Sequence, residues 1–243
     1  MVASTKTDRS LGTVNILHQG DEAYENIWQK IRSVWSYVYD NYYRHFDWFH
    51  IGGDDLYLIV ENLRLYVESE AIRSAANGGK EPLNDWEAPF QTPLFLGRRF
   101  AEQGNMERIF NSGGAGYTIN RAALKLLVRI FPNCYPNYMT FAEDVMVAEC
   151  FRNQGVLPYD TRDDFGGERY MPFTPGDHFS KQWHFFYFFS NFFSFILKRF
   201  PCVPHLNFIL QVIEFLPHRR KIGTRSILLE SLRLAWITAQ NTV

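Results

Sequence analysis

An apolar strand that runs straight into paired carboxylates sets the frame for this chain. Asp47-Trp48-Phe49-His50-Ile51 carries the strand, and Gly52-Gly53-Asp54-Asp55-Leu56-Tyr57 follows it. In an α/β protein, ligands gather at the carboxyl ends of strands, so acids there face a site more often than solvent. Adjacent carboxylates repel unless something neutralises them, and a hard divalent cation bound by oxygens does so. Mg²⁺ and Mn²⁺ held this way are usually shared with a phosphate. The plain alternative is a Gly-Gly-Asp-Asp turn between two strands, with no ligand at all.

The surrounding pattern alternates helices with short strands. Ile27, Ile31, Val34, Trp35, Val38 and Tyr42 give residues 22–45 a helical apolar stripe after Gly20-Asp21. Past the acidic turn, 58–68 reads as a second helix. Residues 74–91, rich in Gly, Asn and Pro, read as a surface loop, and 92–97 as a strand followed by Arg98-Arg99. Asn120 is the expected N-cap of a helix carrying Ala122, Ala123, Leu126, Leu127 and Ile130. A further helix starts near Glu143-Asp144 and stops at Gly155.

With 243 residues the chain suits one large domain or two small ones and can bury an ample core. Lys+Arg 25 against Asp+Glu 26 leaves a net charge of -1, which argues against a nucleic-acid surface. The aromatic block at 183–200 is preceded by Gln182, interrupted by His184, Ser190, Asn191 and Ser194, and is too short and polar for a membrane span. Met1–Arg9 lacks an apolar core, so no signal peptide or anchor is expected there. Ile222–Val243 has the spacing of a terminal packing helix.

Three other stretches can carry chemistry. Asn111-Ser112-Gly113-Gly114-Ala115-Gly116-Tyr117 lets backbone pass close to a ligand or to another segment, but its spacing is neither Walker nor Rossmann. Glu143 and Asp144 are favoured in a first helical turn by the macrodipole alone; the functional reading makes one of them a general base. Residues 159–173 form a charged, aromatic loop that either binds ligand or pairs with itself. Cys134 and Cys150 are sixteen positions apart. A disulfide between them would contribute about 3 kcal/mol on the chain-entropy model, and two reduced, part-buried thiols are the other reading.

In order, Trp48-Phe49 with Asp54-Asp55-Leu56-Tyr57, Gly97-Arg98-Arg99-Phe100, Ser112–Tyr117, Glu143-Asp144-Val145 and Asp160–Phe173 resemble the β-1,3-galactosyltransferases, and within them the core 1 synthases. The resemblance covers about residues 10 to 185. It implies a GT-A-like α/β fold with a mixed, mostly parallel sheet flanked by helices and lacking the first nucleotide-binding strands. The glycosyltransferase domain is expected at 10–185, N-terminally incomplete, with a C-terminal extension at 186–243.

The implied reaction is metal-dependent, inverting transfer of galactose from UDP-galactose to N-acetylgalactosamine on Ser/Thr-linked glycans. Asp55 and Asp54 would hold Mn²⁺ against the diphosphate, and Asp144 would be the base. Gly113 and Gly114 would make room for the donor sugar. Trp86, Tyr117 and Glu143 would meet the acceptor, although core packing explains an aromatic such as Tyr117 equally well. The resemblance also favours a Cys134–Cys150 disulfide, a Golgi or other secretory-pathway compartment behind an N-terminal anchor absent from this chain, and admits a homodimer. Relatives carry three acids in the metal turn, where this chain has Gly53 first, and a late His ligand for which His205 and His218 stand in unmatched contexts. A non-catalytic, chaperone-like relative or truncated pseudoenzyme is therefore the second class, and a sugar-binding module the third.

Overall fold

The computed structural model describes residues 1–79 and 92–179. Two short strands open it, β1 (Val2–Ser4) and β2 (Thr13–Asn15), paired in parallel. Helix α1 (Ile27–Tyr42) then leads to β3 (Trp48–Ile51). After the acidic turn come α2 (Val60–Val67) and α3 (Glu70–Ala76). Strands β4 (Phe95–Gly97), β5 (Arg99–Ala101), β6 (Ile109–Asn111) and β7 (Tyr117–Asn120) follow, then α4 (Arg121–Ile130), α5 (Glu143–Arg152) and the short α6 (Pro175–Phe179).

The central sheet has the order β3-β7-β4, with β7 antiparallel to both neighbours. This differs from the mostly parallel sheet implied by the resemblance: among the described strands, only β1 and β2 pair in parallel. The connection explains the difference. A parallel return needs a crossover of a dozen residues or more. Here β5 and β6 form an antiparallel pair that brings the chain back to where β4 ended, closed by Ser112 N–H donating to Arg98 O at 2.8 Å. Strand β7 therefore starts at the carboxyl end of β4 and runs back between β4 and β3.

Side chains alternate across that sheet as the pleat requires. Phe49, Ile51, Phe95, Tyr117 and Ile119 join α1, α4 and α5 in the larger core, while Trp48 and Leu96 face the smaller one with Leu63, Val67, Ile72 and Ala76 from α2 and α3. The result is a helix–sheet–helix sandwich of the α/β class. Helix α3 runs into the stretch expected as loop from 74, because burying Ile72 and Ala76 against Trp48 and Leu94 outweighs local composition. Ala3 is buried in the larger core, so packing of the described fold begins ahead of residue 10. The end of the expected domain, its 186–243 extension, the aromatic block and the terminal helix lie outside the described residues. Among the described residues, no helix is long and apolar enough to cross a membrane.

The helix limits follow local chemistry. Asn120 caps α4, its side-chain oxygen accepting from Ala123 N–H at 2.9 Å. Beyond α5, Gly155 has φ 74°, the left-handed backbone that closes a helix end. Cys134 and Cys150 form a disulfide with Cα atoms 5.8 Å apart, tying α5 to the chain that leaves α4.

Candidate functional site

Register collects the candidate segments at one end of the sheet. Ile51, the last residue of β3, pairs with Tyr117, the first of β7, and Gly97, the last of β4, pairs with Tyr117 from the other side. The acidic turn after β3, the Arg98-Arg99 pair after β4 and the glycine-rich loop before β7 thus leave the sheet along a common edge. The loop at 159–173 joins them: Thr161 Oγ1 donates to Gly97 O at 3.0 Å, and the Arg98 guanidinium pairs with Glu168. A Cβ built on Gly114 would come within 3.3 Å of Pro172 O, so this backbone approach is tight.

Helix α5 aims its first turn at the same loop. Gly113 N–H donates to Asp144 Oδ2 at 2.8 Å, and Val145 N–H donates to Oδ1 at 2.8 Å. A side chain at Gly113 would meet Glu143 Oε1 at 2.8 Å, so glycine is what lets the loop rest on the carboxyl pair. Glu143 is only 8% exposed, and the Tyr117 hydroxyl donates to its Oε2 at 3.1 Å. Trp35 Nε1–H donates in turn to the Tyr117 oxygen at 3.3 Å. Burial raises the Glu143 carboxyl well above the usual range, and the neighbouring Asp144 charge raises it further. Asp144 is raised as well, first by burial, with the Gly113 and Val145 amides opposing. A part-buried carboxyl with an elevated proton affinity, held on two backbone amides, is suited to accepting a proton.

Tyr117, expected to meet the acceptor, lies in the larger core. It is 1% exposed, and its ring packs edge-on to Phe95 and beside Trp35, so the core-packing reading is the one its position supports. Trp86 lies outside the described residues, as do His205 and His218.

The acidic turn is built more lightly. Asp54 and Asp55 are exposed, and Leu56 N–H donates to Gly53 O at 3.3 Å to close the turn. Desolvation raises the Asp54 carboxyl, a backbone hydrogen bond partly counters it, and the Asp55 charge adds a smaller rise. A Cβ at Gly53 would sit 2.6 Å from Asp55 Oδ1, the movable end of a side chain. Among the described residues, no three His, Cys, Asp or Glu side chains converge as a cation cage. Two oxygen donors alone suit an ion that completes its shell on a ligand and water, not one enclosed by protein.

Three residues near this end were not singled out by sequence reasoning. His50 is fully buried; its Nδ1 meets Thr118 Oγ1 at 2.9 Å, and Tyr170 Oη donates to the same hydroxyl at 2.9 Å. Burial pulls the His50 imidazole down to about 4, so it is neutral near pH 7. Its Nε2 would lie 2.6 Å from a Cβ on Gly116, whose φ is 63°. Trp35 was read as part of a helical stripe, without its bond to Tyr117. Tyr24, in the turn ahead of α1, stacks on Phe141. No motif marks these residues, because their roles arise from contacts between distant segments.

Acids and a glycine-rich loop at strand ends are where an α/β protein takes its ligands. The chain belongs to the β-1,3-galactosyltransferase family. It is 30% identical over 191 residues to glycoprotein-N-acetylgalactosamine 3-β-galactosyltransferase 1 of Xenopus laevis, an alignment covering 76% of this chain and 46% of that protein. The chain thus spans a little under half the length of this curated relative. No family model matches it.

Proposed function

We propose that this chain carries a transfer site that moves galactose from UDP-galactose to a hydroxyl of N-acetylgalactosamine on a glycoprotein or glycan acceptor, with inversion at the anomeric carbon. The observation that carries the reading is Asp144, its carboxyl part-buried beneath Gly113 at the sheet end that also bears the Asp54-Asp55 turn. The likeness to a galactosyltransferase supports the group transferred.

In this mechanism Asp144 takes the proton of the acceptor hydroxyl as that oxygen attacks the anomeric carbon. The new glycosidic bond forms on the face opposite the breaking bond to the UDP oxygen, which leaves with the electron pair. The Gly113 and Val145 amides hold the Asp144 carboxylate in one orientation, so little reorganisation is required. Gly113 and Gly114 leave backbone rather than side chain facing the donor sugar. Asp54 and Asp55 would hold Mn²⁺ shared with the diphosphate, a role their two-oxygen donor set fits. When bound, the ion supplies Lewis-acid neutralisation of charge on the departing UDP. The Cys134–Cys150 disulfide suits an oxidising, secretory compartment such as the Golgi lumen.

Titration calorimetry of UDP into the purified chain, with and without Mn²⁺, tests the reading. Metal-dependent binding that disappears in Asp55→Ala is the expected result. No binding under either condition overturns it. A specific feature, Gly53 where relatives carry the first of three acids, favours a second reading: a non-catalytic, chaperone-like member that has given up the metal. Absence of metal-dependent binding would put that reading first.

A further inference from the structure

Beside the carboxyl pair stands an aromatic surface that the transfer reaction, as described so far, leaves unused. Tyr24 lies flat on Phe141, ring centroids 5.5 Å apart and planes 13° from parallel. Phe141 is two residues ahead of Glu143, whose N–H donates to Phe141 O at 2.9 Å. The plate therefore borders the first turn of α5, where Asp144 sits. Tyr24 keeps 45% of its surface in solvent, so its ring is open to a ligand beside the site.

The plate is also held still. Trp28 N–H, one turn after Tyr24, donates to Thr140 O at 3.1 Å and joins the two backbones that carry the rings. The buried Gln29 side chain donates to Pro136 O at 3.0 Å and Tyr138 O at 2.7 Å, and Trp28 Nε1–H to Tyr135 O at 3.0 Å. Side chains of α1 thus pin the segment that presents Phe141. Exposed aromatics on a fixed backbone lose little entropy when a ligand covers them.

Chemistry narrows what covers them. Pyranose rings of galactose configuration have one face lined by C–H groups and an edge of hydroxyls. A flat aromatic pair matches the apolar face, while a phenol and a carboxylate match the edge. Burial raises the Tyr24 phenol, and the charges of Asp144, Glu25 and Glu143 raise it further, so it stays a hydrogen-bond donor. We infer that the stacked Tyr24–Phe141 pair is the platform on which the acceptor sugar lies, turning its reacting hydroxyl toward Asp144. This rests on the transferase reading above and adds the residues that select the acceptor.

The test is calorimetric binding of methyl α-N-acetylgalactosaminide to the full chain, alone and with saturating UDP and Mn²⁺. The wild type is compared with Tyr24→Ala and Tyr24→Phe. The expected result is acceptor affinity about tenfold weaker in Tyr24→Ala and no more than about threefold weaker in Tyr24→Phe, which keeps the plate and loses the hydroxyl. Thermal melting of both variants monitors the fold; Tyr24→Phe, which fills the same space, keeps the comparison interpretable if Tyr24→Ala melts early. Acceptor binding unchanged in Tyr24→Ala overturns the proposal, and so does a wild type that binds no acceptor in either condition. UDP titration of the same samples reports on the donor site separately, so loss of the platform and loss of the transferase reading give different results.

Discussion

Glu143 and Asp144 are held from several sides: the Gly113 and Val145 amides on one carboxyl, the Tyr117 hydroxyl on the other, and Trp35 behind Tyr117. Asp54 and Asp55, at the same end of the sheet, stand exposed on a turn closed by the Leu56–Gly53 backbone bond. The first pair is positioned by protein and made to share a low-dielectric setting that raises both carboxyls. The second stands exposed on its turn, where Asp54 is raised by partial desolvation and a Cβ at Gly53 would meet the movable end of Asp55. An enzyme that must hold its base in place but take its ion in with each donor would be built in this asymmetric way. Order in the first half comes from the fold; on the transferase reading, order in the second would arrive with the ligand.

The largest effect expected from this contrast concerns the proposed base, Asp144. Asp144→Asn preserves size and one of the two backbone hydrogen bonds, since its amide nitrogen cannot accept from an N–H, and removes the proton acceptor, so transfer should fall by about 10²–10⁴-fold. UDP affinity in the same variant should stay within about twofold, because the acids proposed to serve the donor are elsewhere. A parallel loss of UDP binding would show that the two halves are not separable.

Stability draws the same line. Gly116→Ala forces a side chain into φ 63° and places Cβ 2.6 Å from both His50 Nε2 and Ile51 O, buried atoms with nowhere to move. A cost of about 3 kcal/mol is expected, lowering Tm by roughly 6–12 °C in a domain of this size. Gly53→Ala meets only the movable Asp55 Oδ1. Its Tm should change by less than about 2 °C. Equal losses in the two variants would break the distinction between a committed and an open half. A smaller effect sharpens it further: Gly53→Asp adds an oxygen donor to the turn. Affinity for UDP in the presence of Mn²⁺ should rise by about tenfold, with none of the thermal loss seen at Gly116.

How much of this was legible beforehand tracks the range of the interactions. The Asn120 cap, the stripe of α1 and the position of Asp54-Asp55 at a strand end are written within a few residues, and each is found where local chemistry puts it. The antiparallel insertion of β7 between β3 and β4 depends on where the β5–β6 pair returns the chain, which no periodicity reveals. Tyr117 was open between sugar contact and core because its neighbours, Trp35 and Phe95, are 82 and 22 positions away in the numbering. The same holds for His50, Thr118 and Tyr170, and for Tyr24 against Phe141. The Cys134–Cys150 pairing was a matter of resemblance, since spacing alone admitted two free thiols.

A modest effect separates charge from shape at the committed half. Burial lifts the Glu143 carboxyl well above its unfolded value. A carboxyl raised on folding favours the native state while both states hold the proton, below the unfolded value near 4.5. That advantage is lost as pH climbs through the folded value, because the native state is then asked to bury a charge that the unfolded chain solvates freely. Glu143→Gln keeps an oxygen to accept from Tyr117 and removes the titration. Its melting temperature should therefore exceed that of the wild type by roughly 2–4 °C at pH 8, the size of a change of about 1 kcal/mol. The two proteins should converge toward pH 4, where Glu143 is protonated. The reverse order at pH 8 would mean that the Glu143 carboxylate, like those of the acidic turn, is solvated after all, and the contrast between the two halves would reduce to the backbone alone.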